Sequence, residues 1–106
     1  MRQLDPHQVK ELLDKLDTAP LLLDVREPGE FACCRIEGSL HIPMGEIVSR
    51  LSELDPDRAT VVVCHHGMRS FQVAQFLEIQ GFGQIINLAG GIDAWAREVD
   101  PGMPRY

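Results

Sequence analysis

The stretch Thr60-Val61-Val62-Val63-Cys64-His65-His66-Gly67-Met68-Arg69-Ser70 decides how the rest of the chain is read. Its opening Thr60 to Cys64 is a short apolar run rich in β-branched side chains. That is the pattern of a strand buried on both faces, which parallel sheets favour. From Arg69 to Gln80 the apolar residues Phe71, Val73, Ala74, Phe76, Leu77 and Ile79 form a broad helical stripe, and Gly81 is placed to cap its end. The segment therefore reads as a strand, a glycine-containing loop and a helix that lies back on the sheet.

Two further apolar runs read as strands, Leu21 to Val25 after Pro20 and Gln84 to Leu88. Asp5 followed by Pro6 is a helix start, an N-cap and then a first-turn proline, and Val9, Leu12, Leu13 and Leu16 recur at helical spacing behind it. Pro28-Gly29-Glu30-Phe31 suggests a turn into a short helix. Leu40-His41-Ile42-Pro43 is a short extended segment, and Pro43 opens a helix expected over roughly Gly45 to Leu54. Gly90-Gly91 makes a tight turn into a final helix from Ile92 to about Val99, with Trp95 directed at the core, and residues 101–106 are expected to be an extended tail. Strands alternating with helices predict an α/β fold, a mostly parallel central sheet with helices on both faces.

The chain has 106 residues, 44% of them apolar, enough for one core and too few for two ordinary domains, so a single domain over residues 1–106 is expected. The formal net charge of -6 argues against a nucleic-acid partner held by a broad basic surface. No run of roughly 18 apolar residues could span a bilayer, and the first residues lack the basic-then-apolar layout of a signal peptide. No membrane association and a cytoplasmic location are the expectation. Three cysteines, with Cys33 and Cys34 adjacent, do not form a disulfide framework and read as free thiols in a reducing compartment.

In open parallel sheets, ligands bind where the carboxyl ends of strands give way to loops and helix N-termini. Cys64 ends a strand at such a place, and the following helix points unpaired N–H groups and the positive end of its dipole at the loop. Gly67 permits a backbone that turns successive N–H groups inward as a concave nest for an anion. Arg69 adds a permanent positive charge, and Ser70 a hydroxyl that can cap the helix or bond the anion. Together these should stabilise a thiolate and make Cys64 a nucleophile. The alternative is a small apolar residue ending a strand, and the ordered Gly, Arg and Ser behind it weigh against that.

Four pieces now fall in order along the chain: Leu23-Asp24-Val25-Arg26-Glu27-Pro28 with Glu30-Phe31; Ile36-Glu37-Gly38-Ser39-Leu40-His41-Ile42-Pro43; Cys64 to Ser70; and Asn87-Leu88-Ala89-Gly90-Gly91-Ile92-Asp93-Ala94-Trp95. With these the chain resembles the rhodanese superfamily, specifically single-domain thiosulfate sulfurtransferases, over nearly its whole length. The resemblance implies that Cys64 takes the sulfane sulfur of thiosulfate, becomes a persulfide and passes the sulfur to a thiol or cyanide. His65, His66, Gly67, Met68, Arg69 and Ser70 would line the substrate. It also implies that Asp24, Arg26 and Glu30 are a structural charged cluster bracing the segment after a strand. No cofactor is implied. A persulfide carrier serving cofactor or tRNA sulfuration, with a protein as sulfur acceptor, is the alternative.

Loop length separates this from phosphate-ester hydrolysis. Phosphatases of this fold place five residues between Cys and Arg, whereas His65 to Met68 are four, a cradle suited to one sulfur atom. His65 and His66 invite a metal reading, but adjacent residues in a tight loop rarely aim at one ion, and His7 and His41 have no ligand spacing. No metal is expected; a partly protonated His65 or His66 could instead attract an anionic substrate. Cys33-Cys34-Arg35 departs from the family pattern, which often has Gly at position 34 and His at position 35. Its thiols could in principle resolve a Cys64 persulfide.

Overall fold

Five parallel strands run through a computed structural model that describes residues 1–106. In chain order the elements are β1 (Arg2–Leu4), α1 (Pro6–Leu13), β2 (Leu21–Asp24), α2 (Pro28–Cys33), β3 (Leu40–His41), β4 (Thr60–Val63), α3 (Met68–Ile79), β5 (Ile85–Leu88) and α4 (Gly91–Glu98). The strands lie in the order β1-β5-β4-β2-β3. β4 is central, with Asp24 of β2 beside Val63 and Asn87 of β5 beside Val62.

Side chains alternate across these strands and split the core in two. Leu23, Val25, Val62, Cys64 and Ile85 pack with Val73, Ala74 and Leu77 of α3 and with Ile47, Leu54 and Phe82. Leu22, Val61, Val63, Ile86 and Leu88 pack on the other face with Val9 of α1 and with Ile92 and Trp95 of α4. Each buried Leu, Ile or Val contributes roughly 1.5–3 kcal/mol relative to exposure, so the central strands anchor whatever the sheet's end presents. No helix is long and apolar enough to cross a membrane.

Local chemistry explains where the elements start and stop. Asp5 accepts from the Gln8 N–H while Gln8 accepts from the Asp5 N–H, a reciprocal cap ahead of Pro6. Gly81, at φ +97°, supplies the left-handed turn after α3.

Several expectations are corrected. A strand precedes α1: Arg2–Leu4 forms an edge beside β5. α1 stops at Leu13, so Leu16 lies outside it and is 89% exposed. The helix expected over Gly45 to Leu54 is two short 3₁₀ turns, Met44–Glu46 and Leu51–Glu53. Gly45, β-branched Ile47 and Val48, and Ser49 all weaken an α-helix there, while the tighter turns still bury Ile47 and Leu54. The tail expected to be extended begins with a turn, in which Met103 N–H bonds the Asp100 carbonyl, and the residues after it make side-chain contacts with Asp93 and Arg26.

Candidate functional site

β2 and β4 end side by side, with Asp24 opposite Val63, so the segments carrying Arg26 and Cys64 leave neighbouring strand ends. Cys64 is a free thiol and 1% exposed. Its Sγ accepts from the Gly67 N–H at 3.1 Å and lies 3.3 Å from Ser70 Oγ, to which the thiol donates. Gly67 makes this possible with φ +98°, a region other residues rarely adopt, and it serves as the N-cap of α3. Of the two parts open to the Ser70 hydroxyl, it does not cap this helix; it donates to Asn87 Oδ1 at 2.5 Å. The first N–H groups of α3, on Met68, Arg69 and Ser70, have no protein acceptor.

A second helix fixes the loop from behind. The N–H groups of Ile92 and Asp93 donate to the carbonyls of Cys64 and His65, at 2.8 and 3.1 Å. Gly91, at φ +63°, allows this approach: a Cβ there would fall on those two carbonyl oxygens. The loop is thus clamped by the N-termini of both α3 and α4.

Charged groups around it are paired. Arg69 forks onto Glu30, with Nη1 at 2.6 Å from Oε1 and Nη2 at 2.9 Å from Oε2. This hydrogen bonding is the main reason the Glu30 carboxyl is pulled down to about 2. The guanidinium uses two of its five N–H donors on Glu30. Arg26 is fully buried; it bonds both Asp24 carboxylate oxygens and the Cys34 carbonyl. Burial opposes its charge, but the Asp24 carboxylate and Tyr106 outweigh it and raise its pKa. Glu30 joins this pair only through its backbone carbonyl and through Tyr106, whose hydroxyl donates to Glu30 and accepts from Arg26.

Met68 is largely exposed at the loop's rim. His65 and His66 stack on each other at 3.9 Å, and Tyr106 stacks on the outer face of His65. Burial, then the neighbouring His66, hold the His65 pKa below its ordinary value, which leaves His65 uncharged at neutral pH. No group of three or more His, Cys, Asp and Glu side chains is arranged to hold a metal. Cys33 is exposed; Cys34 is buried, its thiol 3.9 Å from Arg26 Nη1, and burial pushes its pKa up. Arg35 lies over the Phe31 ring at 4.7 Å.

Three residues that bear on the site had not been singled out for it. Asn87 is the polar residue in an otherwise apolar strand, a visible signal. Gly91 reads from the sequence as a turn and as part of the fourth piece of the resemblance, not as a contact on the loop. Nothing in the tail's composition announced Tyr106.

A family model described as rhodanese-like domain matches residues 5–98. A sulfurtransferase of Allochromatium vinosum is 45% identical over 84 residues, covering 79% of this chain and 76% of that protein. The thiosulfate sulfurtransferase GlpE of Actinobacillus pleuropneumoniae is 31% identical over 102 residues, 96% of this chain and 90% of that one. Among solved structures, a rhodanese-related protein from Thermoplasma volcanium matches with a TM-score of 0.84 at 32% identity, covering 93% of this chain and 94% of its own. With a Cys-ended central strand, a four-residue loop to Arg69 and this fold around them, the chain belongs to the family of rhodanese-like domains.

Proposed function

We propose that this protein is a sulfurtransferase that moves sulfane sulfur from thiosulfate to a thiol or cyanide through a persulfide on Cys64. The observation that carries the reading is the placement of Cys64 Sγ under the Gly67 N–H, at the mouth of a loop whose next three N–H groups are unpaired. Transfer of sulfur in general is supported by the sulfurtransferases the chain resembles, thiosulfate by its likeness to GlpE.

The Cys64 thiolate attacks the sulfane sulfur of thiosulfate. A Cys64 S–S bond forms, the S–S bond of thiosulfate breaks, and its electron pair leaves with sulfite. The terminal sulfur of the persulfide then carries the negative charge, and the N–H groups of Met68, Arg69 and Ser70 can bond it. The free N–H donors of Arg69 are available to the departing sulfite. In the second half, an acceptor thiolate or cyanide attacks the terminal sulfur, and the electron pair of the Cys64 S–S bond returns to Sγ.

The test is the intact mass of the reduced protein before and after thiosulfate, beside Cys64→Ser. A gain of one sulfur, about 32 Da, in the wild type alone is the expected outcome. No gain in either protein would remove thiosulfate as donor and leave a protein donor, the carrier reading, as the alternative.

A further inference from the structure

The bonding around Cys64 fixes where one proton sits. Asn87 is buried in β5, and its Nδ2 lies 3.1 Å from the Gly67 carbonyl oxygen and 2.9 Å from Gln3 Oε1. A backbone carbonyl only accepts, so the amide NH₂ faces Gly67 and Oδ1 faces Ser70 Oγ. That Oδ1 also only accepts, and the single Ser70 proton is therefore spent on it. Ser70 turns a lone pair toward Cys64 Sγ. It can accept from a thiol there, but it cannot donate to a thiolate without leaving Asn87 Oδ1 buried and without a donor. A serine beside a nucleophilic cysteine would ordinarily be assigned the opposite part.

We propose that Asn87, acting through Ser70, is a positioning residue that favours the protonated thiol of Cys64 between turnovers. The inference deepens the sulfur-transfer reading and rests on Cys64 being its nucleophile. Two contacts oppose each other at the sulfur: the Gly67 N–H favours thiolate, and the Ser70 lone pair favours thiol. When the acceptor removes the terminal sulfur and the electron pair returns to Sγ, a solvent proton completes the thiol that Ser70 accepts.

Other titratable or charged groups facing this region are His65 and His66 in the loop, Arg69 of α3, Asp24 and Arg26 at the end of β2, Glu30 of α2, Asp93 of α4, and Tyr106. The variants below change none of them.

The experiment is an ultraviolet titration of the Cys64 thiolate, taken as the difference between each protein and its Cys64→Ser counterpart. Ser70→Ala should move the midpoint to lower pH by about half a unit or more, the scale of one hydrogen bond. Ser70→Thr, which keeps the hydroxyl, should stay with the wild type. Asn87→Val should also move it down by releasing the Ser70 proton, and adding Asn87→Val to Ser70→Ala should shift it no further. A higher midpoint in Ser70→Ala overturns the proposal, because it would show Ser70 donating to the thiolate. An undiminished effect of Asn87→Val without Ser70 overturns the route through Ser70. Should Asn87→Val fail to fold, the Ser70 pair alone decides the sign. The sulfur-transfer reading fails separately, as a wild type that gains no sulfur from thiosulfate.

Discussion

The phenol ring of Tyr106 lies on the imidazole of His65, centroids 4.0 Å apart and planes inclined by 16°, so the neighbour of Cys64 is roofed by residue 106. Burial pushes the Tyr106 hydroxyl up to about 12. The folded state therefore prefers the neutral phenol; this contribution is complete below about 10 and is lost as pH rises toward about 12. Tyr106 is the single tyrosine, so tyrosinate absorbance reads it directly. A midpoint near 12 is expected in the folded protein, and one near 10 in denaturant. A folded-state midpoint near 10 would mean that the hydroxyl is not buried between Arg26 and Glu30.

Replacing Arg26 by Met should destabilise the protein by about 3–5 kcal/mol, because it strands the buried Asp24 carboxylate without its partner. Urea denaturation measures this. The double variant Asp24→Leu with Arg26→Met should recover much of the loss, since the two residues are in direct contact and their effects cannot add.

Gly91→Ala should be among the most damaging small substitutions in the chain. Its Cβ would meet the Cys64 and His65 carbonyl oxygens, and its φ is positive. Backbone cannot yield as a side-chain end can, so a loss of about 2–4 kcal/mol is expected, together with loss of sulfur uptake at Cys64. Gly29→Ala, whose Cβ meets nothing within 4 Å, is the control and should leave both unchanged or slightly improve stability.

Glu30 ionises with a depressed pKa, about 2 against an ordinary 4.5, chiefly through Arg69. Its contribution to stability is therefore present above about 4.5 and is lost as pH falls toward about 2. Glu30→Gln should be less stable than wild type at neutral pH, with the two converging between pH 4.5 and 2 in urea titrations. A gap that persists unchanged at pH 2 would assign the effect to packing.

The parts of the fold with one dominant signal could be read directly from the chain. Val61, Val62 and Val63 announce a buried strand, and Asp5-Pro6 announces a helix start. β1 could not be, since Arg2-Gln3-Leu4 is three residues long and only Leu4 is buried. Its strand character comes from pairing with β5, not from its own composition. Leu40–His41 was visible as extended because Pro43 bounds it, whereas Ile47 and Leu54 suggested a helix and are instead delivered to the core by 3₁₀ turns. At the site, the loop from Cys64 to Ser70 stood out because its residues are consecutive. Asn87, Gly91 and Tyr106 did not, because their roles depend on contacts across 17 or more positions, such as Asn87 to Ser70 and Arg26 to Tyr106.

The hydrogen bond from Asn87 to Gln3 spans 84 positions of sequence. Closing a loop of that length costs chain entropy, and long-range parallel pairing is intrinsically slow. The surroundings of Cys64 thus reach the edge strand: without β1, Asn87 would lose its bond to Gln3 and keep only those to Gly67 and Ser70. The first residues of the chain are in this way part of what holds the neighbours of the thiol in place.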